Sequence, residues 1–403
     1  MTGLRIPDET RADGPAWLAA LRRDAAARLR ETGFPTRKTE AWRFTPVKPV
    51  TSVPFETPAR DGAAAGWTVR SGPDVRPLRE VLERDPESVA EHLGKLAAPE
   101  HFAALNAALF HDGLVVVIPE GARLDTPIEL EHAGVPGAGP TAAYPRVLVI
   151  AGARSEATLV ETYLVREGEK HLTNAVTEVV LGEDAKLDHT RVHEGAQNGF
   201  HLGTLAVRQG RSSRYASHVV TLGGALTRLD LGVELAGEGA ECTLDGVYHV
   251  RGDDHVDHQT RIDHAKPHCT SHESYRGVLD GRGHAVFNGI IVVRRDAQRT
   301  SAHQENRNLL LSDDAVIHTK PHLEIDADDV KCGHGATIGA LDETALFYLR
   351  TRGISEDEAR DILTFAFVQA LLDRIPHAPV RTRLARALLA RLPNGDRIEE
   401  LVR

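Results

Sequence analysis

The sequence predicts a β-solenoid held between two helical regions, and three observations carry that expectation. First, a unit of β-run, Gly-containing turn and β-run recurs along the middle of the chain. Its turn glycines fall at 121, 152, 182, 210 and 237, in steps of 31, 30, 28 and 27 residues. A near-constant period of this size marks a repeat architecture whose units stack on one another. Second, no helical pattern separates the runs, which argues against βαβ units, and the spacing is longer than a β-sandwich normally shows. Third, helical periodicity is confined to the two ends of the chain.

In chain order, residues 14–32 read as a helix, with Trp17, Leu18, Leu21, Ala25 and Leu29 at three- and four-residue steps and Pro15 in the first turn. "GFPTRKTEAWRFTPV" (33–47) is rich in Pro and Thr and reads as irregular. Residues 75–110 read as helical again. The β-pattern begins at Leu114 with "LVVVIPEGARLDTPIEL" and runs to Gly339. After Gly237 the next turn glycine of the series is Gly281, a step of 44 residues, which an insertion within "HVRGDDHVDHQTRIDHAKPHC" would explain. "LDETALFYLRTRG" then reads as a helix capped by Asp342 and ended at Gly353. A second helix opens with a Ser355–Glu358 capping box and carries Ala359, Ile362, Leu363, Ala366, Phe367, Ala370 and Leu371 as its apolar stripe. A last helix near 380–392 carries Val380, Leu384, Leu388 and Leu389. The expected division is a helical and irregular region over 1–112, a solenoid over 113–340 and a helical region over 341–403, with the helices covering the open ends of the solenoid. An antiparallel barrel or jelly roll of cupin type is the alternative fold.

Composition narrows the function. The 403 residues carry a net charge of −10, and the pI of about 6.1 argues against a nucleic-acid partner. Three cysteines, Cys242, Cys269 and Cys332, make neither a disulfide framework nor a zinc ribbon. They are too few to hold an iron–sulfur cluster by thiolates alone. The N-terminus is polar and no stretch approaches 18 apolar residues, so the expectation is a soluble cytoplasmic protein without a membrane partner.

Three stretches carry chemistry. His249, His255, His258, His264, His268 and His272 form a histidine-rich run, but without tight metal-ligand spacing. On a strand, His255, Asp257, Gln259, Arg261 and Asp263 would make a solvated face and Val256, His258, Thr260, Ile262 and His264 a semi-buried one. In "AQRTSAHQENRNLLLS" (297–312), Gln298, Gln304, Asn306 and Asn308 read as amides stacked between coils, followed by a buried strand. In "PHLEIDADDVKCGHGATIG" (321–339), an extended backbone would aim Val330, Cys332 and His334 the same way. Thiolate and imidazole suit iron or zinc, yet two ligands do not close a site. The pair is therefore a catalytic dyad, half of a metal site completed by a partner chain, or an inert cysteine beside a turn histidine. The glycines flanking His334 would let another backbone approach.

"KPHLEIDADDVKCGHGATIG", the following "LFYLRTRGI" and the preceding "AQRTSAHQENRNLLLS" resemble the SufB/SufD family of iron–sulfur cluster assembly proteins. "FPTRKTEAWRFTP" is similar to the SufD branch of that family, and the likeness covers nearly the whole chain. The one departure is glycine at 333, where serine is common. The resemblance implies a right-handed parallel β-helix between two helical regions. It implies a non-catalytic scaffold that pairs with a SufB-like chain and binds a SufC-like ABC ATPase through the helices around 342–372. It places Cys332 and His334 at the interface between the β-helices, with His334 the stronger contributor to the cluster site and the essential thiolate supplied by the partner. It implies no tightly bound cofactor on the isolated chain, only a transient Fe–S cluster at the interface with the SufB-like partner, and it allows a homodimer of the isolated chain. No Walker A motif occurs, so the ATPase must be another chain. The alternative function is a β-helix or cupin-like metal-dependent enzyme acting on carbohydrate.

Overall fold

The structure is a computed structural model and describes all residues except 1–2, 8–9, 11–12, 58–65, 73–74, 99, 112, 135–138, 166–167, 169 and 403. Residue 112, where the N-terminal region is expected to end, is therefore outside the described residues.

The chain opens with α1 (Ala16–Thr32), α2 (Lys48–Thr51), β1 (Trp67–Ser71), β2 (Val75–Pro77), α3 (Leu78–Arg84), α4 (Glu87–Ala90) and α5 (His101–Leu109). The helix expected over 75–110 is thus broken into a strand and three helices of seven, four and nine residues. Pro77 and Pro86 sit at the starts of α3 and α4, where a missing N–H is harmless, and prevent one continuous helix.

Eight coils follow, each giving one strand to each of two sheets. The first coil is β3 (Gly113–Ile118) and β4 (Ile128–Ala133); a short β5 (Thr141–Ala143) pairs with the third coil. Then come β6 (Arg146–Ala151) with β7 (Glu156–Leu164), β8 (His171–Leu181) with β9 (Lys186–Glu194), and β10 (Gly199–Gln209) with β11 (Arg214–Leu222). The last four coils are β12 (Leu226–Leu235) with β13 (Glu241–Val250), β14 (His255–His264) with β15 (Thr270–Leu279), β16 (His284–Val293) with β17 (Thr300–Leu310), and β18 (Val316–Ile325) with β19 (Val330–Gly339). Even-numbered members from β6 to β18 stack in parallel register in one sheet and odd-numbered members from β7 to β19 in the other. Parallel pairing rules out the barrel and jelly-roll alternatives.

The period is kept at one corner. A residue with positive φ recurs there once in each of the first seven coils: Gly121, Arg154, Asp184, Ser212, Gly239, His268 and Arg299. Each lends its N–H to the corner of the next coil, as from Arg154 to the Glu183 carbonyl and from Asp184 to the Arg211 carbonyl. The 44-residue step is therefore not an insertion. The sixth coil turns at His268, which supplies no glycine, and Gly281 belongs to the opposite corner.

The helices cover the sheet faces rather than the solenoid ends. The N-terminal region lies on the outer face of the β8–β10–β12 sheet, where Phe102, Ala104 and Leu105 of α5 meet Leu148, Leu172 and Leu202. Glu178 ties it down: its carboxylate accepts the backbone N–H groups of Gly94 (2.7 Å), Leu96 (2.8 Å) and Ala97 (3.1 Å) and pairs with buried Arg146 (2.6 Å). The irregular 33–47 segment, as expected, holds only a short helical turn at Glu40–Trp42, and it straps the later coils. Arg228 lies 3.7 Å from the Trp42 ring centroid and pairs with Asp257, whose carboxylate also accepts the Thr45 hydroxyl at 2.5 Å. Asp257 is fully buried by this strap, so the face expected to be solvated is covered at that end; His255, Gln259 and Asp263 are half-buried and Arg261 is exposed, as expected.

The C-terminal region, α6 (Glu343–Thr351), α7 (Glu356–Leu372), α8 (Ala378–Leu389) and α9 (Gly395–Val402), packs on the outer face of the other sheet. Asp342 caps α6, and both halves of the Ser355–Glu358 capping box are formed. Val380, Leu384, Leu388 and Leu389 of α8 are buried as expected, and α9 extends the region beyond the expected elements. The buried stripe of α7 is Ala359, Asp361, Thr364, Phe365, Val368, Leu371 and Leu372, against Val247 and Val278; Ala366 and Ala370 face outward. Of the expected stripe, Ala359 and Leu371 are buried and Ile362, Leu363 and Phe367 half-buried, so the buried face overlaps the expected one and is rotated from it.

Two strands close the first coil: β1 pairs antiparallel with β4, and β2 antiparallel with β3. Nothing among the described residues closes the last coil in that way, so β18 and β19 are edge strands. Arg228→Ala is expected to lower the unfolding free energy by about 3–5 kcal/mol, because it leaves Asp257 buried without its cation. Chemical denaturation checks this, and an unchanged midpoint contradicts it.

Candidate functional site

Side chains alternate across each strand, so every second residue of each sheet points into the lumen of the solenoid. In β19 the inward row is Val330, Cys332, His334, Ala336 and Ile338, in register with Thr300, Ala302, Gln304, Asn306 and Asn308 of β17. The structure thus brings Cys332 and His334 together on one strand, facing the mouth of the lumen. Cys332 is half-buried against Ala302, and burial pushes its thiol up from its ordinary value, with the Ala302 backbone bond opposing. His334 is exposed. A Cβ at Gly335 would meet nothing within 4 Å, and one at Gly333 would make only ordinary contact with His303 at 3.4 Å. Serine at 333 would therefore fit as well as glycine. Val316, Ile325 and Ile338 are 41%, 40% and 52% exposed along the same coil. The other His and acidic residues of the motif stand apart from this row: His322 and Glu324 face outward on β18, and Asp326, Asp328 and Asp329 form the corner before β19.

Behind the mouth lies a polar lumen that the sequence reading does not contain. Along one row the register runs Leu244, Glu273, Gln304, His334. The Gln304 amide donates Nε2–H to Glu273 at 2.6 Å. Burial pushes the Glu273 carboxyl up to about 7, against the pull of the Gln304 amide and the Thr260 hydroxyl. Beside it, Tyr248 and Tyr275 alternate with Gly277 and Gly246 in the ladder, and a Cβ on either glycine would overlap the facing tyrosine ring. The expected amide stack is different in detail. Asn306 reaches the Tyr248 hydroxyl (3.1 Å), Asn308 reaches Asn306 along the same strand (2.6 Å), and Gln298 stays at a corner, accepting the Asp329 N–H (2.9 Å). One fixed phase would have revealed the row, since Glu273, Gln304 and His334 are 31 and 30 residues apart. The misread step at Gly281 concealed it.

The histidine run does not converge. His258 is in the lumen between Tyr248 and Tyr275, with ring centroids 5.5 Å from each. His255 faces outward under the N-terminal strap, stacked 4.5 Å from His284, and His249 accepts the Arg391 guanidinium at 2.7 Å. His264 meets Ser271 at 2.8 Å, while His268 and His272 are exposed. Burial holds the rings of His255 and His258 neutral, at about 3. Among the described residues no group of three or more His, Cys, Asp or Glu is arranged to hold a metal ion. No described helix is long and apolar enough to cross a membrane.

Glu273 has a thermodynamic consequence. Its folded value of about 7 lies above its ordinary 4.5, so the folded chain keeps a proton that the unfolded chain releases. Stability therefore falls as pH rises from 4.5 through 7, by about 3 kcal/mol at most. Glu273→Gln is expected to remove this slope, and denaturation curves at pH 5 and pH 8 for both proteins check it.

Two family models match the chain. That for the SUF system FeS cluster assembly SufBD core domain covers residues 134–367, and that for the SufBD protein N-terminal region covers 61–130. An iron–sulfur cluster assembly SufBD family protein of Synechocystis is 36% identical over 76% of this chain and 69% of its own length. The iron–sulfur cluster assembly protein SufD of Escherichia coli is 29% identical over 92% of each chain. A SufBD family protein of Mycobacterium tuberculosis is 31% identical over 88% of each. The core-domain match spans more than half of the chain, which therefore belongs to the SufBD family.

Proposed function

We propose that this chain is a non-catalytic scaffold subunit of iron–sulfur cluster assembly, which docks a homologous SufB-like chain on its last coil. The observation that carries this is the uncovered end. Two ten-residue edge strands, one per sheet, present unpaired backbone donors and acceptors, and edge strands left in this state add strands from another chain. A second β-helix with the same coil geometry would continue both sheets at once. The inward row would then be enclosed, with Cys332 and His334 at the junction. His334 contributes a ligand or proton carrier to a cluster that is cargo of the complex, and the partner supplies the remaining ligands.

The helices over 342–372 receive a SufC-like ATPase. Phe347 and Tyr348 of α6 are 68% and 58% exposed, and at Asp342, where α6 begins, lies a groove of about 340 Å³ lined also by Leu309, Ile338, Leu341, Leu363 and Phe367. Exposed aromatics on a helix next to the docking coil fit the role of anchors for a partner. The groove also touches β19, so an ATPase held on α6 and α7 would be mechanically linked to the docking end.

The reading is tested by the iron and sulfide content of the complex copurified anaerobically with its SufB-like and SufC-like partners. His334→Ala is expected to lower both severalfold while the subunits stay together; unchanged content contradicts a role for His334. Phe347→Asp is expected to weaken ATPase binding by at least about thirtyfold, the equivalent of one hot-spot anchor, with the melting temperature unchanged. Retained binding contradicts the docking assignment.

A further inference from the structure

The row behind the mouth of the lumen has the layout of a positioning device. Glu273, Gln304 and His334 occupy one register position on three successive strands, β15, β17 and β19, so their side chains point the same way one strand spacing apart. That spacing is about 4.8 Å, within reach of hydrogen bonding between neighbouring side chains. The middle amide is oriented: Nε2 donates to Glu273 Oε2 at 2.6 Å, and its Oε1 is buried with no hydrogen-bond partner among the described residues. Gly289 on the facing sheet leaves the space that this amide fills, since a Cβ there would overlap it.

We propose that Glu273, acting through Gln304, sets which nitrogen of His334 carries its proton, and so whether the ring presents a lone pair or an N–H at the open end of the lumen. The inference rests on the reading of His334 as a site residue and names the two residues that position it.

The logic follows from the donor inventory. A carboxylate has no proton to donate, so it takes the Gln304 N–H and leaves Oε1 for the next residue in the row. An acceptor in that place selects the tautomer of His334 whose N–H points inward. The other nitrogen then faces outward with its lone pair, the state able to bind a metal ion or take a proton. A protonated Glu273 reverses every step. Its O–H donates to Oε1, the amide turns by half a revolution, and NH₂ faces His334. The ring accepts that bond with its lone pair and presents N–H outward, a form that cannot ligate. No covalent bond breaks beyond ionisation of the carboxyl, and the proton exchanges with solvent at the mouth.

The other groups facing Glu273 do not compete for this role. Cys242 of β13 and Tyr275 of β15 feel its charge, and burial raises both far above neutrality. His258 of β14, packed on Tyr275, is held neutral. Thr260 of β14 offers a hydroxyl, and β16 contributes Phe287 and Gly289, which do not titrate.

The test reads the ring of His334 directly. Long-range ¹H–¹⁵N spectra of the histidine-labelled full chain give the tautomer of each imidazole, and His334→Asn assigns the resonances. Spectra are taken from pH 5.5 to 8.5 for wild type, Glu273→Gln and Gln304→Leu, with amide spectra confirming that each is folded. In wild type the His334 tautomer ratio is expected to change with an inflection near pH 7, where Glu273 titrates. Glu273→Gln is expected to remove that inflection, and Gln304→Leu to remove the tautomer preference altogether. Identical His334 spectra in all three folded proteins overturn the inference. This readout needs no partner and no iron. A changed tautomer beside unchanged iron in His334→Ala complexes upholds the positioning row and overturns the site reading; the reverse pattern does the opposite.

Discussion

Each interior strand of a parallel β-helix takes backbone hydrogen bonds from the coil before it and gives them to the coil after it, so the two ends of the stack are the only places where that exchange must stop. This chain stops it at one end alone. The antiparallel strands β1 and β2 close the first coil, one on each sheet. At the other end, β18 and β19 are as long as the interior strands and are left as edges. The direction of the whole molecule follows from that difference: a closed end, a rigid run of stacked coils, and an end built to be continued by another chain.

The flanking helical regions serve the same arrangement by leaving the open end free. Both lie on outer sheet faces and are fastened by buried polar groups: Glu178 beneath the 94–97 loop, Arg228 beneath Trp42, and Asp245 beneath Arg374 at 2.8 Å. Burial raises the Asp245 carboxyl to about 6, with Arg374 opposing. The N-terminal strap extends to the last coil itself, where Lys320 pairs with Glu40 at 2.7 Å and Phe44 stacks 3.8 Å from His318. The C-terminal groove reaches it from the opposite face at Thr337. Both helical regions thus touch the docking coil without covering its edge.

Much of this is legible in the sequence. The repeat period, the absence of intervening helices and the helix caps at Asp342 and Ser355 depend on local backbone chemistry, and the solenoid and its helical flanks can be read from them. The alternation of Val330, Cys332 and His334 is likewise local. The lumen is harder. The first seven of these corners each hold one residue of positive φ, and Arg154, Asp184, Ser212, His268 and Arg299 take that position without being glycine. Counting glycines therefore loses the phase at the sixth coil. With the phase goes the knowledge that Glu273, Gln304 and His334 share a row, and that Gly246 and Gly277 make room for Tyr275 and Tyr248. The buried face of α7 is unreadable for a related reason. The helix is apolar on two sides, and only the shape of the sheet beneath it selects Phe365, Val368 and Leu372 over Ala366 and Ala370.

The central claim is that the uncovered coil is the surface that another β-helix continues. Hydrogen–deuterium exchange at the backbone amides of residues 316–339 tests it most directly, in the isolated chain at low concentration and in complex with the SufB-like chain. Strong protection of both β18 and β19 on complex formation, with the first coil unchanged, is the result this account predicts. Unchanged exchange along both strands in an intact complex would contradict it.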